Sequence, residues 1–431
     1  QALGEFFRRV GKGGLLDRSV VVICGDHGEG LGEHGEEAHG IFLYEATTRV
    51  PLLLHLPGQA EAKKVSQSVS LVDLAPTLAD LCGVAVNAGD GRSLAPLLRG
   101  EKWSRAPLYL EALTGLYSFG WAPLYALVDP PHKYVLAPRP ELYDLKKDPG
   151  EKSNALAAQP AVAKRLDQAL KKILAESPTA KGEAVQLDDE ELRSLQSLGY
   201  VGGAPGKAGG GFIDPKDGIA GRADHEAAMK LMAEKRESEA AALFQKLAQK
   251  DPGNPLYAYY LGACHEGTDP EKAMEYYKKS IQLRRDFPQA YVRLLFLYES
   301  RGRSKEAYAL GQIALQEVQD VTGRIGSLTA WAAFDSGQSK ERGLELLDQA
   351  KQAGPETGWA LRLRGLLALQ AGDREGALSC LEAMAKVSPP QEVAMVGSDP
   401  RFNALRSDPR FRAVVNKARE QLQTAPKPAS P

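Results

Sequence analysis

The chain has 431 residues, of which 43% are hydrophobic and 25% charged, the composition of an ordinary globular protein with room for about two to four domains. Its net charge of −1 gives no bulk electrostatic reason to bind nucleic acid or another polyanion, and it has no run of about eighteen apolar residues to span a membrane as a helix. Cys24, Cys82, Cys264 and Cys380 share no CxxC spacing, so they describe neither a disulfide framework nor a zinc site and read as unpaired, mostly buried thiols.

Residues 2–10 read as an amphipathic helix, and an apolar run at 19–24 reads as a buried strand. A strand of this kind so soon after Gln1 looks like the middle of a domain. The chain is therefore expected to be a fragment, with any leader or anchor upstream of it. Glycines then break the run into a loop, GDHGEGLGEHG over residues 25–35, followed by His39, Gly40 and the triplet Leu43, Tyr44, Glu45. In an open α/β sheet, ligands bind beyond the carboxyl ends of the strands. Asp26 and His27, adjacent at such a place, can offer a carboxylate oxygen and an imidazole nitrogen to one divalent cation.

A second continuous apolar run covers 49–58, with Pro51 at its start and Pro57 and Gly58 at its end. Two such runs predict a parallel sheet covered on both faces. Apolar residues at Leu71, Leu74, Ala75, Leu78, Leu81 and Cys82 make a helical stripe, with Asp73 as N-cap, Pro76 in the first turn and Gly83 as C-cap. Short apolar and aromatic segments at 108–110, 124–127 and 133–136 predict a small antiparallel sheet. The string ELYDLKKDPGE at 141–151 adds a strand and a Pro-Gly turn, and helices are expected at 161–176 and 188–198. Residues 202–211 hold six glycines and a proline, a linker composition that sets the domain boundary.

Beyond about Gly221 the pattern changes. Small residues recur at Ala240, Ala273, Ala307, Gly343 and Ala377, with spacings of 33, 34, 36 and 34. Four positions after each come Phe244, Tyr277, Gly311, Leu347 and Leu381, of which Gly311 breaks the rule. A period near 34 with a small-then-large pattern is the tetratricopeptide (TPR) signature, in which the small residue lets two antiparallel helices approach. Two Asp-Pro-Arg-Phe strings, at 399–402 and 408–411, suit helix starts and predict a terminal cap, with a disordered tail behind it.

The loop at 25–35, with its following LYE and RVP strings, resembles the second metal motif of the sulfatases within the alkaline-phosphatase superfamily. VDLAPTLADLCGV at 72–84 and the ELYDLKKDPGE string are similar to sulfatase wording too, so the resemblance covers 1–156 and reaches toward Tyr200. It implies an α/β fold, the C-terminal part of a sulfatase-like catalytic domain with a small antiparallel subdomain, followed by the all-α TPR solenoid. The expected domains are 1–200 for the catalytic part, 201–221 for the linker, 222–390 for the repeats, 391–422 for the cap and 423–431 for the tail.

Carried over on the matching positions, Asp26 and His27 are metal ligands. His39 is the catalytic, substrate-binding contact to the sulfate or phosphate oxygens, where the family commonly has lysine. Calcium is the commonest metal of the family. The histidine at position 27 resembles the phosphonate monoester hydrolases and phosphoethanolamine transferases and makes manganese or zinc plausible, as ligand softness agrees. His34 is expected to support the loop and Glu29 to cap or orient it. His55 is expected in the core, His132 carries no catalytic expectation, and His225 and His265 fall on solvated or packed repeat helices.

The family nucleophile is absent. No Cys- or Ser-x-Pro-x-Arg string occurs, so a formylglycine, if used, lies outside this chain, as do the remaining metal ligands. The expected function is that of a fragment of a metal-dependent hydrolase of sulfate, phosphate or phosphonate esters, inactive alone, with an extracytoplasmic location implied by the family. The alternative is an interaction protein that acts through the concave face of its repeats on a protein or peptide partner, with a non-catalytic remnant attached.

Overall fold

The computed structural model describes residues 2–176 and 212–424, apart from Gly13, Gln59, Ala60, Gln319 and Val321. The helix expected at 188–198, the glycine-rich segment at 202–211 and the last seven residues of the expected tail lie outside the described residues. Contacts divide the chain into two units. One holds the described residues up to 176 together with Phe212–Ala223, and the other begins at Asp224.

The first unit is mixed α/β. After a helix at Ala2–Lys12 come strands β1 (Val21–Cys24) and β2 (Leu52–His55). They correct the expectation of a parallel sheet: β1 and β2 form an antiparallel pair, with Val21 opposite His55 and Cys24 opposite Leu52. The cause is the connection. It is a loop with a 3-10 turn at Glu33–Gly35 and one α-helical turn at Glu45–Thr48, so the chain returns beside the strand it left without a long helical crossover. Neither is the pair covered on both faces, since Leu53 is 56% exposed. His55 is exposed, contrary to its expected core position, and its Nε2 contacts the Leu16 carbonyl at 3.1 Å. Cys24 and Cys82 are exposed too, so only Cys264 is a fully buried thiol.

The stripe at 71–82 folds as a short 3-10 turn, Leu71–Asp73, running into a helix, Leu74–Cys82, which Gly83 ends in a left-handed conformation. Asp73 stands at the N-cap position of the α-helix, as expected, but its side chain makes no cap bond to that helix. Ser70 caps the preceding 3-10 turn, and the buried Asp73 carboxylate accepts the Ser70 N–H at 2.9 Å, the Arg92 N–H at 2.9 Å and the Arg105 guanidinium. Its role is structural, in keeping with the sequence.

Four strands, β3 (Leu108–Ala112), β4 (Leu124–Asp129), β5 (His132–Leu136) and β6 (Glu141–Asp144), form an antiparallel meander in chain order. Period-two alternation sorts its residues onto two faces. Leu127, Tyr134 and Leu142 pack on Leu166 and Leu170 of the helix Pro160–Glu176. Ala126, Val135 and Tyr143 pack instead on Trp121 and on Ile41, Phe42, Leu43 and Tyr44. Each fully buried leucine contributes roughly 1.5–3 kcal/mol. The second face seats the LYE segment, and so fixes one end of the loop that carries Asp26. Residues 212–221, expected as linker, form turns at Pro215–Gly218 and Ile219–Gly221, with Gly218 packed against the Trp121 ring.

The second unit is helical. Ten helices pair in sequence: Arg222–Ala233 with Glu237–Lys250, Pro255–His265 with Pro270–Leu283, Pro288–Ser300 with Ser304–Glu317, Arg324–Asp335 with Lys340–Ala353, and Gly358–Gln370 with Arg374–Val387. Each recurrent small residue lies buried in the second helix of a pair. The large residues Phe244, Tyr277, Leu347 and Leu381 are buried as well. The exception explains itself: a side-chain carbon on Gly311 would run into Thr329, which fills that space from the next helix. The two Asp-Pro-Arg-Phe strings both start helical turns, and Phe402 and Phe411 insert into the core of the last pair. The final helix, Pro409–Thr424, runs slightly into the expected tail. Among the described residues, no helix is long and apolar enough to cross a membrane.

Candidate metal centre

Asp26 lies two residues beyond the end of β1, and the loop is drawn close to the helical turn that precedes β2. The Gly28 N–H donates to Thr47 O at 2.8 Å and the Gly30 N–H to Ala38 O at 2.7 Å. Backbone approaches backbone so closely here that a side-chain carbon on Gly28 would strike the Ala46 carbonyl, and one on Gly30 the Glu36 carbonyl. The two glycines in Asp-His-Gly-Glu-Gly are therefore steric requirements. Glu36, 2% exposed, holds the returning strand of the loop by accepting the N–H of Ile41 at 2.8 Å and of Phe42 at 3.2 Å. Burial pushes its carboxyl above the usual carboxylate range.

This folding stacks His39 on His27, with ring centroids 3.6 Å apart and planes 27° from parallel. His27 Nδ1 lies 2.9 Å from Gly28 O. His39 Nδ1 faces the Glu29 carboxylate at 3.3 and 3.4 Å. The Asp26 carboxylate accepts the His27 N–H at 3.0 Å, and its other oxygen is 3.8 Å from His27 Nε2. Backbone N–H groups of Asp26 and His27, and then the His27 ring, hold the Asp26 carboxyl below its ordinary value. Asp26, His27 and His39 thus come together on one exposed surface of the loop, and Glu29 joins them. One donor atom from each of His27, Glu29 and His39 lies within 4.8 Å of the others.

The residues that brace this loop carried weaker signals in the sequence. His34 stacks on Tyr44 with centroids 3.6 Å apart, and its Nε2 lies 3.2 Å from Gly150 O. Lys133 is fully buried. Its ammonium lies 2.8 Å from Glu45 and 2.9 Å from Glu151, and donates to Leu43 O at 2.9 Å. The Glu151 carboxylate also accepts the Glu45 N–H at 2.5 Å. One ion-paired lysine therefore ties together the LYE segment, strand β5 and the Asp-Pro-Gly-Glu turn. The available signal was the place of Lys133 on the inward face of an apolar strand, where a charge survives only if it is paired.

Imidazole nitrogens suit zinc and other transition metals, and carboxylate oxygens suit magnesium, calcium and manganese, so this mixed loop is compatible with either kind of divalent cation. Calcium takes six to eight oxygen ligands, of which Asp26 supplies only some, so the loop alone does not choose between calcium and a transition metal. Nothing in the donor chemistry conflicts with a divalent cation at Asp26 and His27.

Residues 1–84 match the family model described as Sulfatase. The Delta 4,5-hexuronate-2-O-sulfatase of Bacteroides thetaiotaomicron is 35% identical over 193 residues, which cover 41% of this chain and 37% of that protein. Arylsulfatase K of Bos taurus is 33% identical over 211 residues, 46% of this chain and 38% of that protein. The chain thus spans well under half the length of these relatives. A solved structure of MamA from Desulfovibrio magneticus RS-1, 17% identical and covering 39% of this chain and 94% of that one, superposes with a TM-score of 0.34, too low to carry an argument.

Proposed function

We propose, from the sulfatase-family relationship of its N-terminal region, that this chain carries the cation-holding and anion-contacting part of a sulfate-ester hydrolase, joined to tetratricopeptide repeats. The observation that carries this reading is the convergence of Asp26, His27 and His39 on one loop, His39 stacked on the proposed ligand His27. Asp26 and His27 hold a divalent cation, calcium as is commonest in the family, or manganese or zinc as the imidazole of His27 would suit. When bound, that cation acts as a Lewis acid toward an ester oxygen. A ring N–H of His39 donates a hydrogen bond to an oxygen of the sulfuryl group. The named relatives are sulfatases, which favours sulfate over phosphate or phosphonate.

The match to part of the length of the named sulfatases supports reading residues 1–200 as one part of a catalytic domain, and no Cys- or Ser-x-Pro-x-Arg string occurs in the chain. The family relationship favours an extracytoplasmic location. Residues 222–390 are read as the repeats, because small and large residues are buried at the period near 34 within five successive helix pairs. Such an array binds a protein or peptide partner.

The test is binding of inorganic sulfate and of an aryl sulfate to the manganese- or zinc-loaded chain, with hydrolysis followed in parallel. Saturable sulfate binding that His39→Ala weakens, with no sustained turnover, supports the reading. Sulfate binding indifferent to both the metal and His39 sinks it.

A further inference from the structure

We propose that residues 212–222 are a clasp that fixes the position of the loop bearing Asp26 and His39, with Lys216, Ile219 and Arg222 as its positioning residues. The proposal deepens the reading of that loop as a site for a cation and an anion, and rests on it for its functional consequence. The clasp lies outside residues 1–84, which match the Sulfatase family model. It is the stretch of chain that leads into the helix pairs, so the loop depends on more than the segment that carries its motif.

The clasp is first of all anchored to the first unit. The Ala122 N–H donates to Ile213 O at 2.9 Å, and the Arg139 N–H to the buried Asp214 carboxylate at 3.0 Å. Gly218 lies so close on the Trp121 ring that no side-chain carbon fits between them. Ile213 and Ile219 pack against the cluster that Trp121 forms with Ile41, Phe42, Leu43 and Tyr44. Ile219 also lies beneath the loop itself: a side-chain carbon on the left-handed Gly35 would meet Ile219 Cγ2 at 3.7 Å.

Two polar connections run from the clasp to the loop. Lys216 Nζ lies 3.3 Å from the Glu141 carboxylate, which accepts the Tyr44 hydroxyl at 3.2 Å, and Tyr44 stacks on the His34 ring of the loop at 3.6 Å. The ammonium is itself placed by Asp214 at 3.3 Å and by Arg139 O at 3.0 Å. A buried carboxylate needs a charged partner, and Lys216 supplies one to Glu141. The lysine therefore bears on the hydroxyl that holds Tyr44 against His34. Arg222 acts on the other side of the turn. Burial raises the Glu36 carboxyl, and the Ile41 and Phe42 N–H groups, then the Arg222 guanidinium, work against that rise. Arg222 thus favours the ionised Glu36 that accepts both N–H groups, at 2.8 and 3.2 Å, and so sets where the chain emerges after His39.

The experiment is hydrogen–deuterium exchange of the full chain, read by mass spectrometry on peptides from the loop at 25–44 and from the meander at 124–144. Ile219→Ser removes the contact beneath Gly35, and Lys216→Met removes the cation beside Glu141. Both side chains are only partly buried, so the variants fold. Each is expected to speed exchange of the loop amides at least ~10-fold while strands β4 and β5 stay within ~2-fold of the wild type. Ile219→Val and Lys216→Arg keep the contact and the charge, and should exchange as the wild type does. Unchanged loop exchange in Ile219→Ser and Lys216→Met overturns the proposal. So does equal acceleration of loop and meander, which would make the clasp a contributor to general stability alone. Inorganic sulfate titrated into the manganese-loaded chain reads the functional consequence, an affinity that falls in Ile219→Ser and returns in Ile219→Val. No sulfate binding by the wild-type chain would sink the proposed function, while loop exchange still decides the clasp, so the two readings fail separately.

Discussion

The ammonium of Lys133 lies 2.9 Å from the carboxylate of Glu151, both side chains withdrawn from solvent, with Glu45 closing the cluster at 2.8 Å. Burial pushes the Glu151 carboxyl up while the Lys133 charge works against that rise. Removing one member of a buried ionic cluster leaves the others uncompensated, at about 3–5 kcal/mol. Lys133→Met is therefore expected to destabilise the first unit by that amount in urea unfolding followed by the buried Trp121. Glu151→Leu in the same chain should recover part of the loss. A Lys133→Met chain as stable as the wild type would show that the cluster does not hold this unit together.

Two buried groups of the helical unit are expected to give opposite pH dependences. Burial among Phe244, Tyr257 and Tyr260 lowers the His225 imidazole to about 4. Between about 4 and 6.5 the unfolded state binds the proton and the folded state does not. Its contribution, about 3 kcal/mol, is present above pH 6.5 and is lost as pH falls toward 4. Burial and then the charge of Asp335 raise Glu299 to about 7, against the Ser304 hydroxyl and the Arg401 guanidinium, which lower it. Here the folded state holds the extra proton, so stability is full below about pH 4.5 and falls as pH rises through 7, by roughly 2 kcal/mol after allowing for its partial exposure. Thermal unfolding of His225→Leu should lose the decline on the acid side, and Glu299→Gln the decline toward neutral pH. Parallel wild-type and variant profiles would refute either assignment.

The exception in the repeat pattern is testable by itself. Gly311 occupies a position where the other repeats carry a large residue, and Thr329 fills the space it leaves. Thr329 is fully buried, with its hydroxyl donating to Ile325 O at 2.7 Å. Overpacking of this kind costs about 1–3 kcal/mol. Gly311→Ala is expected to destabilise the helical unit within that range, and Thr329→Ala to suppress most of the added cost. The coupling is read from a double-mutant cycle, and simple additivity would refute the contact.

How much of this could be read in the chain depended on whether the information was local. The meander was legible because turn residues separate short alternating segments, and so were the helix pairs, whose period repeats five times. The grouping of Asp26, His27 and His39 was legible only as a family resemblance. The orientation of β2 was not, because a continuous apolar run is the same in parallel and antiparallel sheets and the connection decides. Glu29 looked like a loop-capping residue because nothing near it in sequence marks its approach to His39. Lys133 is hard to read for a similar reason: its partners Glu45 and Glu151 come from distant segments. A charge on an inward strand position was the one local sign.

The two Asp-Pro-Arg-Phe strings look equivalent in sequence, but the structure separates them. In the first, Asp399 accepts from Arg362 at 2.6 Å and from the Arg401 guanidinium at 3.0 Å, and Arg401 reaches on to Asp335 at 2.8 Å. The two guanidiniums lie 4.9 and 4.7 Å from the centre of the Trp331 ring. Burial acts to raise the Asp399 carboxyl, but the Arg401 and Arg362 hydrogen bonds outweigh it and hold the group at about 2. That stabilisation, about 2 kcal/mol, is present above pH 4 and is lost as pH falls toward 2. Asp399→Ala strips the buried Arg362 of its carboxylate and is expected to cost about 3–5 kcal/mol. In the second string, Asp408 caps its helix by accepting the Arg410 N–H at 2.9 Å and meets Arg374 at 3.2 Å near the surface. Asp408→Ala should cost only the cap, about 1 kcal/mol. Chemical denaturation of the two variants compares them directly. Equal losses would mean that the buried Arg362–Asp399 pair adds nothing beyond a helix cap.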